Sequence, residues 1–126
     1  MTGTADTLPL TSQTCVACRR DAPRVTDEEM AALLPEIPEW DVQDHAGVPR
    51  LVRTYRVKTF RDAIALTNAI ADLAEAEGHH PDLYLAWGKC KVEIWTHKIN
   101  GLTESDFYLA AKADREFEPF RVAATS

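Results

Sequence analysis

The sequence predicts an α+β fold of order αββαββα, a four-stranded antiparallel sheet with three helices packed on one face. Three observations carry this. Thr26, Thr59 and Thr103 each stand three residues before an acid (Glu29, Asp62 and Asp106), which is the spacing of a helix-opening capping box. Each opens a stretch whose apolar residues recur with a period near 3.6. Between these stretches lie two pairs of runs that alternate apolar and polar residues around a short Gly-containing turn, the pattern of a β-hairpin.

In chain order, residues 1–24 read as a flexible arm, Thr-rich and poor in bulky apolar groups, that carries Cys15-Val16-Ala17-Cys18. The domain is expected over 25–118, with a tail at 119–126. The first helix runs over about Asp27–Leu34, with Met30, Leu33, Leu34 and Ile37 spaced for one apolar face and Pro35 and Pro38 limiting its length. Trp40–Asp44 and Leu51–Val57 are the first two strands, joined through Ala46-Gly47-Val48-Pro49. The longest helix extends from Phe60 to Glu77, and Gly78 is the natural residue just past its end. Leu83–Trp87 and Cys90–Thr96 form the second hairpin around Gly88-Lys89. Cys90 falls on the apolar face and reads as a small buried hydrophobe. After a loop at 97–101, the last helix places Phe107, Leu109 or Ala110, Ala113 and Phe117 inward and ends before Pro119. Tyr55 and Trp95, on strands that also carry charges, suggest a sheet surface that meets another subunit.

The totals exclude several function classes. With 14 basic and 20 acidic residues the net charge is -6, which disfavours nucleic acid or an anionic membrane as the main partner. No apolar run approaches the roughly 20 residues of a spanning helix. The first fourteen residues lack the basic and apolar regions of a secretory signal, and three cysteines do not suggest a disulfide framework. A cytoplasmic protein with reduced thiols is the expectation.

The chemistry concentrates around Glu75-Ala76-Glu77-Gly78-His79-His80-Pro81-Asp82. Two of the four histidines sit side by side in the connection after a helix, and His97 follows the next hairpin, so three imidazoles can converge on one pocket. Pro81 biases His80 towards an extended backbone, so the adjacent rings point apart and can take different parts. Metal binding is disfavoured, because ligands at i and i+1 are awkward and no H-E-x-x-H or H-x-H spacing occurs. Cys15 and Cys18 lack the second pair that a structural zinc needs. No nucleophile elbow, phosphate loop or dinucleotide fingerprint is present. What remains is proton transfer by histidine on a small aromatic or heterocyclic substrate, with Asp106 and Glu75 orienting the rings and Trp87 and Tyr84 offering a flat wall. Asp106 also has a plain structural role as the acid of the box begun by Thr103.

The series Glu75, His79-His80-Pro81, Trp87, His97, Asp106 resembles the active-site signature of the pterin-4a-carbinolamine dehydratases. The likeness extends from about Thr26 to Asp114 and is strongest to bacterial members associated with phenylalanine hydroxylase. It implies an α+β fold, assembly as a homodimer or homotetramer, and no cofactor or metal. The implied reaction is loss of water from 4a-hydroxytetrahydrobiopterin to give quinonoid dihydrobiopterin, which recycles the pterin of aromatic amino acid hydroxylases. His79, His80 and His97 would be the acid–base candidates, with Glu75, Pro81, Trp87 and Asp106 binding or orienting. One departure is Gly78, where some relatives carry an acid. Dehydratase-like relatives also include non-catalytic assembly or dimerisation factors, for a transcription factor or a carbon-fixing enzyme, which gives the alternative reading.

Overall fold

A computed structural model describes residues 23–121; Cys15 and Cys18 lie outside the described residues. Helix α1 spans Asp27–Leu33 and continues as a 3-10 turn over Leu34–Glu36. Strand β1 is Asp41–His45 and β2 is Val48–Arg56, α2 is Phe60–Glu77, β3 is Asp82–Ala86, β4 is Lys89–Ile94, and α3 is Glu104–Phe117. The predicted order and the four-stranded antiparallel sheet are therefore present, with strand order β1-β2-β4-β3.

Local chemistry explains the boundaries. Thr26 accepts the Glu29 N–H and the Glu29 carboxylate accepts the Thr26 N–H, so the first capping box is complete. Thr59 caps α2 by accepting from Asp62 N–H at 3.0 Å. The first hairpin turns on Ala46 and Gly47, both at positive φ (53° and 86°), the geometry of a two-residue turn matched to strand twist. That lets β2 begin at Val48, earlier than the expected Leu51. Pro49 is accommodated because β2–β4 pairing begins only at Leu51 with Ile94.

The helices cover the face that bears Leu51, Tyr55, Val92 and Ile94, all fully buried, with Leu66, Ile70, Phe107 and Leu109 opposite them. Cys90 lies in this core as expected, and Thr67 of α2 donates to its sulfur at 3.2 Å. Tyr55 does not face another subunit. Its ring is buried, and its hydroxyl donates to Asp114 at 2.6 Å. The Trp40 indole N–H (3.0 Å) and Arg53 (2.7 Å) donate to the same Asp114 oxygen, which ties α3 to β2 and to the chain before β1. Burial, reinforced by the Asp114 charge, pushes the Tyr55 hydroxyl far above its usual pKa.

The ends of the domain are tied in as well. Val25 N–H donates to Leu102 C=O at 2.9 Å, and the Arg24 guanidinium donates to the carbonyls of Ile99 and Asn100. Phe120, in a 3-10 turn over Glu118–Phe120, packs against the core. No helix among the described residues is long and apolar enough to cross a membrane.

Candidate active site

The site is built at the sheet end where α2 hands over to β3 and β4 hands over to α3. Gly78 stops α2 in the left-handed region at φ 65°. Its N–H donates to Glu75 C=O at 3.3 Å, and His79 N–H reaches back to Ala74 C=O at 3.1 Å. These two bonds make a Schellman motif. They fix the His79 backbone against the helix end and turn its side chain inward.

His79 is 5% exposed and Asp106 is fully buried, with His79 Nε2 standing 2.7 Å from Asp106 Oδ1. The ring and the carboxylate are thus held in close apposition at ion-pair distance. The other oxygen, Asp106 Oδ2, accepts from Thr103 N–H and from Thr96 Oγ1, both at 2.8 Å, and the two threonine hydroxyls lie 3.1 Å apart. Asp106 therefore completes the acid half of its capping box and faces a histidine at once. Thr96 is brought to it by a backbone bridge with Gly101, where Thr96 N–H donates to Gly101 C=O at 2.8 Å. His79 Nδ1 is buried and has no hydrogen-bond partner among the described residues.

His80 faces outward. Its Nε2 lies 2.9 Å from Glu75 Oε2, one turn back on α2, and both side chains are largely exposed. His97 opens a 3-10 turn over His97–Ile99 and meets the Trp95 ring almost perpendicularly, with centroids 4.3 Å apart. Gly78, His79, His80, Trp95, Thr96, His97 and Lys98 line a cleft of about 180 Å³. No group of three or more His, Cys, Asp or Glu side chains among the described residues is arranged to share one metal ion.

The structure thus brings together His79, His80, His97, Asp106 and Glu75, and Pro81 links the histidine pair to β3. It does not bring Trp87 or Tyr84 into the cleft. Trp87 is 72% exposed in the β3–β4 turn; at about 3.3 Å per strand residue it stands roughly 15 Å from the His80 end of β3. Tyr84, half exposed, projects from the sheet face opposite the described helices, paired in register with Lys91. Trp95 supplies the aromatic wall instead. Sequence reasoning missed Trp95, Thr96 and Lys98 as cleft residues. The available signal was their adjacency to His97 at the end of a strand.

Fold and cleft define a class: a small α+β protein with a buried histidine–aspartate pair and two more histidines around a pocket sized for a small ligand. The family described as pterin 4 alpha carbinolamine dehydratase matches residues 23–116, and the chain belongs to that family. It is 51% identical over 109 residues to a Saccharophagus degradans protein named "Putative pterin-4-alpha-carbinolamine dehydratase", covering 86% of this chain and 96% of that one. A similarly named Gloeobacter violaceus protein is 53% identical over 105 residues, 83% of this chain and 90% of its own. Among solved structures, a Brucella melitensis protein titled transcriptional coactivator/pterin dehydratase superposes with TM-score 0.67 at 31% identity, over 75% of this chain and 98% of that one. A pterin dehydratase-like protein titled as a RuBisCO assembly factor in the alpha-carboxysome gives TM-score 0.55 at 20% identity, over 64% and 90%. That last likeness concerns the fold alone.

Proposed function

We propose that this protein dehydrates a pterin 4a-carbinolamine, 4a-hydroxytetrahydrobiopterin or a close analogue, to the quinonoid dihydropterin. The observation that carries the reading is the convergence of three histidines with two carboxylate partners on one cleft, inside the segment that the family match covers.

The chemistry asks for two proton movements and no redox step. The C4a–O bond breaks as the hydroxyl takes a proton and leaves as water. A ring N–H gives up its proton, and its electron pair forms the new C=N bond. His80 and His97, both exposed and both lining the cleft, are the groups able to touch the substrate, one as acid and one as base. His79 has both ring nitrogens covered, so its part is to hold the cleft wall with Asp106. Glu75 orients His80 through Nε2. Trp95 presents an indole to a planar bicyclic ring. Assembly as a dimer or tetramer and a supply role for an aromatic amino acid hydroxylase belong to the same proposal.

The test is a direct assay of water loss from synthetic carbinolamine. Wild-type protein accelerates it, and His80→Ala and His97→Ala each lower the rate at least about tenfold, the low end of acid–base contributions. Wild-type rates in both variants would remove the basis of the reading.

A further inference from the structure

Arg50 lies on the face of the sheet opposite the described helices. Register pairs Leu51 with Ile94, so continuing the ladder by one step sets Arg50 opposite Trp95. The Arg50 guanidinium lies over the indole, 3.8 Å from its ring centre, and the same indole stands against His97. Arg50 Nη1 is also 2.7 Å from Glu93 Oε1 and 3.8 Å from Asp82 Oδ2. Asp82 opens β3 two residues after His80, and Glu93 is near the end of β4, four residues before His97. One planar cation therefore touches both strands whose ends carry the cleft histidines.

This differs from an ordinary surface ion pair, which is worth little. The Glu93 side chain is only 3% exposed and that of Arg50 19%, so salt and water screen the pair weakly. Burial raises the Glu93 carboxyl pKa, but the hydrogen bonds and charges of Arg50 and Lys91 outweigh it and hold the group below its usual range. Arg50 Nε is buried with no hydrogen-bond partner among the described residues. The guanidinium thus forgoes a hydrogen bond while lying on the indole, where a cation over the ring face is stabilised.

We propose that Arg50 is a positioning residue for His97: it fixes the plane of Trp95 from the sheet face opposite the described helices, and Trp95 fixes the imidazole at the cleft. The effect on rate rests on the dehydratase reading; the effect on His97 does not. Arg50→Lys is the informative variant, because it keeps a charge for Glu93 and loses the planar stack. Arg50→Ala would leave the buried Glu93 with Lys91 as its one cationic partner among the described residues. Histidine ring resonances are followed by NMR in the full-length protein, with Trp95→Leu as the reference for removing the indole and Trp95→Phe for restoring an aromatic ring.

The expected result is that His97 signals move most in Trp95→Leu, move in the same direction in Arg50→Lys, and return part-way in Trp95→Phe, while His79 signals stay. Steady-state kinetics then show a fall in kcat of about three- to tenfold in Arg50→Lys with KM nearly unchanged, the signature of a misplaced group. His97 signals in Arg50→Lys that coincide with wild type would overturn the proposal. If wild-type protein proves inactive on the carbinolamine while the His97 signals still move, the dehydratase reading fails and the positioning stands. If wild type is active and His97 does not respond to Arg50→Lys, the reverse holds.

Discussion

Replacing Asp106 by Asn tests how the two roles of that residue are coupled. The carboxylate is fully buried and meets Thr103 N–H, Thr96 Oγ1 and His79 Nε2, each within 2.8 Å. Asn keeps the shape and one acceptor oxygen. If that oxygen stays with the two threonine donors, the amide NH₂ faces His79 and drives its ring proton to Nδ1, which is buried without a hydrogen-bond partner among the described residues. If the amide flips, it sets a donor against Thr103 N–H and breaks the cap. Either way one charge-assisted contact is lost, at about 1.5–3 kcal/mol, and the negative charge at the start of α3 goes with it, at about 0.3–1 kcal/mol. Asp106→Asn is therefore expected to destabilise by about 2–4 kcal/mol. Asp106→Ala also leaves the Thr103 N–H without its acceptor and reaches the 3–5 kcal/mol of a broken buried pair, about the largest effect expected of one residue here. Urea unfolding with the slope m held fixed measures both, and nitrogen NMR of His79 reads its tautomer. A loss below about 0.5 kcal/mol for Asn, together with an unchanged tautomer, would refute the coupling of cap to histidine.

Three further expectations follow from single features. Gly78→Ala puts a Cβ at φ 65° and should cost about 1–2 kcal/mol, read as a drop in Tm; no drop would mean that the Schellman turn does not set the entry to His79. Tyr55→Phe removes one of three donors from Asp114 while Trp40 and Arg53 remain. A loss near the bottom of the charged hydrogen-bond range, about 1.5 kcal/mol, is expected in urea unfolding, and a neutral outcome would count against the Asp114 tie. Because the folded-state Glu93 carboxyl lies below its usual range, the unfolded chain binds its proton first as pH falls. The stability it contributes is thus complete above the unfolded value and is lost as pH drops through the folded one. Urea midpoints taken from about pH 6 to about pH 3 should fall more steeply for wild type than for Glu93→Gln, and parallel curves would contradict the Arg50–Glu93 pairing.

Much of this was legible in the chain because its punctuation is local. Each helix opens on a threonine whose partner acid lies three residues on, and Gly78 marks the end of α2 at the residue observed. Asp106 was open to both its roles, since the capping spacing and the motif spacing coincide there. What could not be read depends on which side of the sheet a residue meets. Tyr55 looked like an interface aromatic, but its partner Asp114 lies 59 positions away on α3. Trp87 and Trp95 look alike in the alternating pattern. They sit at opposite ends of the second hairpin, and only the pairing of β4 with β2, which sets Trp95 beside Arg50, tells which end holds the cleft. Thr96 reaches Asp106 through its bridge with Gly101 across four intervening residues, a contact that periodicity does not encode.

The most direct measurement is the rate of water loss from synthetic 4a-carbinolamine with wild-type, His80→Ala and His97→Ala proteins, all confirmed as folded. The expected result is wild-type acceleration that falls at least about tenfold in each variant. No acceleration by the wild type, or variants that match it, would contradict assigning the histidine cleft to pterin dehydration.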